Sequence, residues 1–286
     1  MPVKDDNARM SLFVFSELTF REAQRRRILI VAFIMGLAFL LLFAVGFHYV
    51  YLQMEKDGVS GTQGELITGF LLTAGLYAAN LLIMVIAVLV SVTTISGEID
   101  SHTIDALITK PVRRWEVVLG KWLAFAALLI IYTIFLAGGL MLIVYLRAGY
   151  SMNNIAAGLA LMVLQALIIL SITIAGGTRL STLANGVLAF TLYAIAFLGG
   201  WVEQIGALFR NEAAVDIGII TSLIMPSEIL WKKAQTIFQP QLTSNPYSAG
   251  PFAVSSQPSD LMILYGVLYM LFFLIFAMWS FTARDL

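Results

Sequence analysis

The chain has 286 residues, 60% of them hydrophobic and 12% charged. A soluble domain is about 45–50% apolar and about 25% charged, so this composition, with a mean hydropathy of +0.90, describes an integral membrane protein with little room for a soluble domain. Basic and acidic residues balance to a formal charge of zero, so no nucleic-acid partner is expected, and the absence of cysteine excludes disulfides, thiolate catalysis and Cys-based metal sites.

Residues 1–27 run from polar to mixed. The first ten are polar and the first long apolar run exceeds a signal-peptide core, so no cleavable leader is expected. Leu12, Phe13, Val14, Phe15, Leu18 and Phe20 make the middle of this segment apolar, but their helical angles scatter. Two readings stay open: an interfacial elbow helix leading into the first span, or a tail anchored by Arg25, Arg26 and Arg27.

Six apolar runs are long enough to span a membrane: 28–50, 66–95, 122–146, 155–175, 183–202 and 261–281. Crossing about 30 Å of hydrocarbon takes about 20 apolar residues, so the second run is expected to tilt or project beyond the bilayer. With the N-terminus inside, the inner segments hold twelve Lys and Arg residues and the outer ones five. The positive-inside rule then puts both termini and the 96–121 loop in the cytoplasm.

The 96–121 loop is the most patterned polar stretch. Ser96 can cap a short helix, Glu98 and Asp100 suit its first turn, and Pro111 stops it. Ile99, Ile104, Leu107 and Ile108 recur at roughly helical spacing and make one apolar stripe. Lipid-surface helices usually carry Lys and Arg on the polar face. This one carries Glu98, Asp100 and Asp105, so a groove on a partner protein is the better fit.

On the outer side, 59–64 reads as a short flexible turn, whereas 203–260 is long and has its own structure. Within it, 217–225 is apolar but too short to span, and Pro226-Ser227-Glu228 opens a helix through Trp231 to Phe238 with Ser227 as candidate N-cap. Residues 239–258, rich in Pro, Ser, Asn and Gly, read as loop. Either this region re-enters the membrane as a lid, or it is a surface loop with one interfacial helix.

The chemistry within the six runs is neutral. No Asp, Glu, Lys or Arg lies near the middle of a run, which argues against a carrier driven by protons or sodium. No Walker A loop, H-E-x-x-H or G-x-S-x-G occurs, so no catalytic or metal residue is assigned. His48, beside Tyr49 and Tyr51, reads as interfacial, and the scattered methionines read as core filler. Thr73, Tyr77, Asn80, Gln165, Asn185 and Tyr193 are the notable polar groups at membrane depth. Such groups either join helices or line a wet cavity. Ala74, Gly75, Gly138, Gly139, Gly199 and Gly200 read as sites of close helix packing.

The order Glu98, Asp100, Thr103, Leu107, Pro111, Arg113 or Arg114, then Gly120-Lys121 resembles the cytoplasmic loop of type-2 ABC exporter permeases. The wording is nearest the branch named for multi-copper enzyme and nitrous-oxide reductase maturation. His102 departs from the glycine usual there. The C-terminal Phe281 and Arg284-Asp285-Leu286 resemble the same family.

This resemblance implies an all-α permease with six transmembrane helices, an elbow at 1–27, a coupling helix in 96–121 and an outer element before the last span. It implies a non-catalytic subunit of a prokaryotic plasma membrane, the inner membrane in a Gram-negative cell. It would pair with a second permease chain, identical or related, and with a separate ATPase that binds ATP and Mg²⁺. Glu98, Asp100, Thr103, Ile104, Leu107, Ile108, Pro111, Arg113 and Arg114 would couple to that ATPase. Thr73, Asn80, Asn185 and Tyr193 are the candidate pathway residues, because the second and fifth spans border the pathway in this family. The competing reading is a membrane scaffold whose loop recruits a soluble partner without transport. An ion channel is weaker, since no run carries a charged ring.

Overall fold

A computed structural model describes residues 27–92, 94, 113–238 and 258–283. Residues 1–26 of the expected elbow, the whole expected coupling helix with Glu98, Asp100, Thr103, Ile104, Leu107, Ile108 and Pro111, the 239–257 stretch and Arg284 to Leu286 lie outside the described residues.

Every described element is a helix. In chain order they are α1 (Arg27–Lys56), α2 (Thr62–Val92), α3 (Arg114–Ala148), α4 (Ile155–Gly177), α5 (Thr182–Leu208), α6 (Glu212–Ile224), α7 (Ser227–Phe238) and α8 (Leu261–Thr282). Six of them, α1 to α5 and α8, are long and apolar enough to cross a membrane. They correspond to the six apolar runs but overrun them. α1 continues to Lys56, α3 begins at Arg114 and α5 reaches Leu208. Hydropathy marks where hydrocarbon ends. A helix can run on into water, where side chains and solvent meet the backbone groups its ends leave open.

α2 and α4 are the most enclosed, and α1 and α8 expose most of their apolar surface. Exposure of Leu41, Leu42, Phe272 and Ile275 is what lipid contact asks of a spanning helix. Close approach depends on small residues, as the sequence suggested. A Cβ at Gly139 would meet Leu40 of α1 at 2.9 Å, and one at Gly75 would meet Phe43 at 2.6 Å. At the α1–α3 crossing the Tyr132 hydroxyl donates to the Ala32 carbonyl at 3.2 Å. One turn further on, α3 widens to a π segment over Ile134–Gly138.

α6 and α7 are the departure from a simple bundle. They meet at a bend of 105° after Ile224. Asn211 caps α6, its Oδ1 accepting from Ala214 N at 3.2 Å. The helix then runs back along α5: Gly206 faces Ala214, Gly218 faces Glu203, and Gly199 faces Thr221. α7 returns along α4. Leu230 packs by Gly266 and Ile168, and Phe238 ends against Gly158 in the first turn of α4. There the Phe238 carbonyl accepts from Asn153 N at 3.2 Å. Both ends of the pair therefore lie at the same end of the bundle, with the apex level with the middle of α4 and α5. The pair thus forms a hairpin with re-entrant geometry, packed between α4 and α5 instead of lying on the surface. Ser227 is the first residue of α7 rather than its cap, and its buried hydroxyl has no partner among the described residues.

Candidate polar site at the hairpin apex

The apex carries charge into the bundle. Glu228 and Lys232 stand one turn apart on α7, at 1% and 4% exposure, and Glu203 of α5 is 6% exposed. Lys232 Nζ lies 2.7 Å from Glu203 Oε2. The Tyr77 hydroxyl donates to Glu228 Oε1 at 3.0 Å. Tyr77 is midway along α2, so this bond fixes the depth of the apex. The sequence argument that no spanning run has a mid-depth charge holds for the runs, but the hairpin delivers two charges from a segment read as external.

Aromatic rings surround the carboxylate. Tyr77 packs edge-on to Trp231 at 5.2 Å between centroids, and also meets Trp201 at 6.2 Å and Phe197 at 6.4 Å. Tyr193, Phe197 and Trp201 recur every fourth residue and form a ladder along α5. Gly200 is what lets α7 close on α5, because a Cβ there would collide with the Glu228 side chain. Backbone groups at the bend are also met. Tyr265 and Tyr269 of α8 donate to the carbonyls of Leu223 at 2.5 Å and Ile224 at 2.7 Å, which are among the carbonyls a helix end leaves open.

The four candidate pathway residues do not form one cluster. Tyr193 joins the aromatic ladder beside Tyr77. Thr73 donates to the Gly69 carbonyl of its own helix at 2.8 Å. Asn80 is buried, with its Oδ1 unpartnered among the described residues. Asn185 sits near the opposite end of the bundle, where its amide donates to the Thr173 carbonyl at 2.8 Å and ties α5 to α4. Sequence reasoning missed Glu203, Glu228 and Lys232. The available signal was a Glu–Lys pair at i,i+4 on a helix that also carries Trp231.

At that opposite end, the 95–112 segment leaves α2 and enters α3. Lys121, buried in the second turn of α3, donates to the Thr94 carbonyl at 3.2 Å. Arg113 is exposed and extended, in the N-cap position of α3, and Arg114 begins the helix. The Trp122 indole donates to Ser171 Oγ on α4 at 2.9 Å. Arg179 and Thr178 both donate to Ser280 Oγ on α8, at 2.8 and 2.9 Å.

Six apolar spans with a re-entrant hairpin before the last one define a multi-pass α-helical membrane protein. The profile of the ABC-2 family transporter protein matches residues 16–286. The chain belongs to that family and is a permease, the membrane transport component of an ABC transporter. No relative was found among curated proteins.

Proposed function

We propose that the chain is the membrane-spanning subunit of an ATP-driven exporter, working as a pair of permease chains with separate cytoplasmic ATPases that hold ATP and Mg²⁺. The two chains are identical or related, and the pathway runs between them. The 96–121 loop is the docking element. Ile104, Leu107 and Ile108 fill a groove on the ATPase, and Glu98 and Asp100 meet its basic groups. Thr103, Pro111, Arg113 and Arg114 shape and anchor that element. The termini and this loop face the cytoplasm of a prokaryotic cell, and the hairpin faces outward.

The Lys121–Thr94 bond is the observation that supports this most. It ties the end of α2 to the start of α3, so a push on the intervening segment moves both helices together. Fifteen residues separate Val92 from Tyr77, about 22 Å of rigid helix at 1.5 Å per residue. At that point α2 holds the hairpin through Glu228. α2 is thus a rod that reports ATPase closure to the outer hairpin. Tyr193, Thr73 and Asn80 lie along the same stretch of α2 and α5 and are the pathway candidates. Asn185 keeps α4 and α5 together.

The test is Leu107→Asp with Ile108→Asp. Loss of the co-purifying ATPase, with the permease still inserted and folded, is the expected result. Retention of an ATPase in equal amount, with turnover still responsive to the permease, would sink the docking reading.

A further inference from the structure

The hairpin cluster is not balanced in charge. Lys232 is committed to Glu203 at 2.7 Å. Glu228 is left with one oxygen bonded to Tyr77, while Oε2 is buried and has no partner among the described residues. The titratable groups on the surrounding elements do not supply a second cation. α2 offers Tyr77, α5 offers Tyr193 and Glu203, and α4 has no titratable residue. α6 offers only Glu212 and Asp216, both toward its far end, and α8 offers Tyr265 and Tyr269, with Asp260 just before it. On α7 itself Lys233 is held at the hairpin's mouth by Asp260, at 2.8 Å. One negative charge therefore remains inside an apolar, aromatic enclosure. A buried charge without a partner costs far more than a buried neutral hydroxyl.

We propose that Glu228 is a proton-binding site, filled while the hairpin is seated on α2 and α5 and emptied when the hairpin parts from them. The proton comes from water on the hairpin side and adds to Oε2, turning the carboxylate into a neutral acid. Oε1 still accepts from Tyr77. When the hairpin lifts, water reaches the carboxyl and takes the proton back. Opening of the outer end is thereby linked to release of one proton, a role outside the six spans and beyond ATPase coupling. The proposal concerns the permease by itself and does not depend on the exporter reading.

The test uses the purified full chain in lipid nanodiscs without any ATPase. Infrared difference spectra recorded across a pH titration separate the carbonyl stretch of a protonated carboxyl from that of a carboxylate. One protonated carboxyl that titrates in the native chain and disappears in Glu228→Gln is expected. Glu203→Gln releases Lys232 toward Glu228, and a nearby cation favours the carboxylate, so the step moves to lower pH. Lys232→Gln moves it to higher pH. These two shifts keep the proposal testable if Glu228→Gln misfolds. Trp231, buried in the seated hairpin, supplies the second readout. Its quenching by acrylamide, isolated by comparison with Trp231→Phe, is expected to rise as the proton leaves, and not in Glu228→Gln. A spectrum without a Glu228-dependent carboxyl at any pH, or a step indifferent to both Glu203→Gln and Lys232→Gln, would overturn the site. Trp231 remaining shielded throughout the titration would overturn its link to hairpin movement.

Discussion

Among the described residues, charged side chains are buried toward two ends of the bundle, and the contacts they make differ. At the loop end, Lys121 is answered by the backbone carbonyl of Thr94, where α2 ends. At the hairpin end, Glu203, Lys232 and Glu228 answer one another and Tyr77, across three elements distant in sequence. The first arrangement joins two helices that the chain already connects. The second holds a hairpin against α2 and α5. The loop end is thus a joint between consecutive helices, and the hairpin end is a seat on α2 and α5.

Breaking the seat is expected to cost most. Lys232→Met takes the cation away from the buried carboxylates Glu203 and Glu228, a loss of about 3–5 kcal/mol visible as earlier thermal unfolding in detergent. Adding Glu203→Leu is expected to recover most of it, because apolar replacement of a whole buried pair is often neutral. If the single variant unfolds like the native chain, the pair is not buried as described. A smaller loss is expected from Gly158→Ala, whose new methyl collides with Phe238. About 1–3 kcal/mol is the usual penalty for overpacking, and Phe238→Leu should relieve it if the contact is the cause. Tyr77→Phe removes one donor from Glu228 at the cost of about 1.5–3 kcal/mol for a charged acceptor, or about 1 kcal/mol for a neutral one. The smaller value would agree with a protonated Glu228. The least effect is expected at Arg147, which meets Glu55 at 3.3 Å and lies 4.4 Å over Tyr51 near the surface. There Arg147→Lys should change stability by less than about 1 kcal/mol.

The same contrast explains what the sequence made legible. Spanning helices announce themselves locally, because each must satisfy its own backbone and face lipid, and all six could be read from their apolar runs. α7 was also legible, from Pro226 through Phe238. The hairpin's depth was not. α6 holds too few apolar residues to span, and Glu228 and Lys232 look like loop residues until Tyr77, 151 positions earlier, is known to lie against them. Glycines gave a partial hint. Gly199 and Gly200 were read as close-packing sites, and the structure shows the hairpin packed on them, at Thr221 and Glu228.

The central claim is that the ATPase-docking loop and the hairpin are two ends of one lever, carried by α2. The direct measurement is ATP hydrolysis by the purified complex with the hairpin tethered. The chain has no cysteine of its own, so cysteines at Leu230 and Gly266 can be joined by a short thiol-reactive bridge. A Cβ at Gly266 would lie 3.1 Å from the Leu230 side chain, within reach of such a bridge. Hydrolysis is expected to fall on bridging and to return when the bridge is cleaved. Hydrolysis and nucleotide response that stay unchanged with the hairpin tethered would contradict that claim.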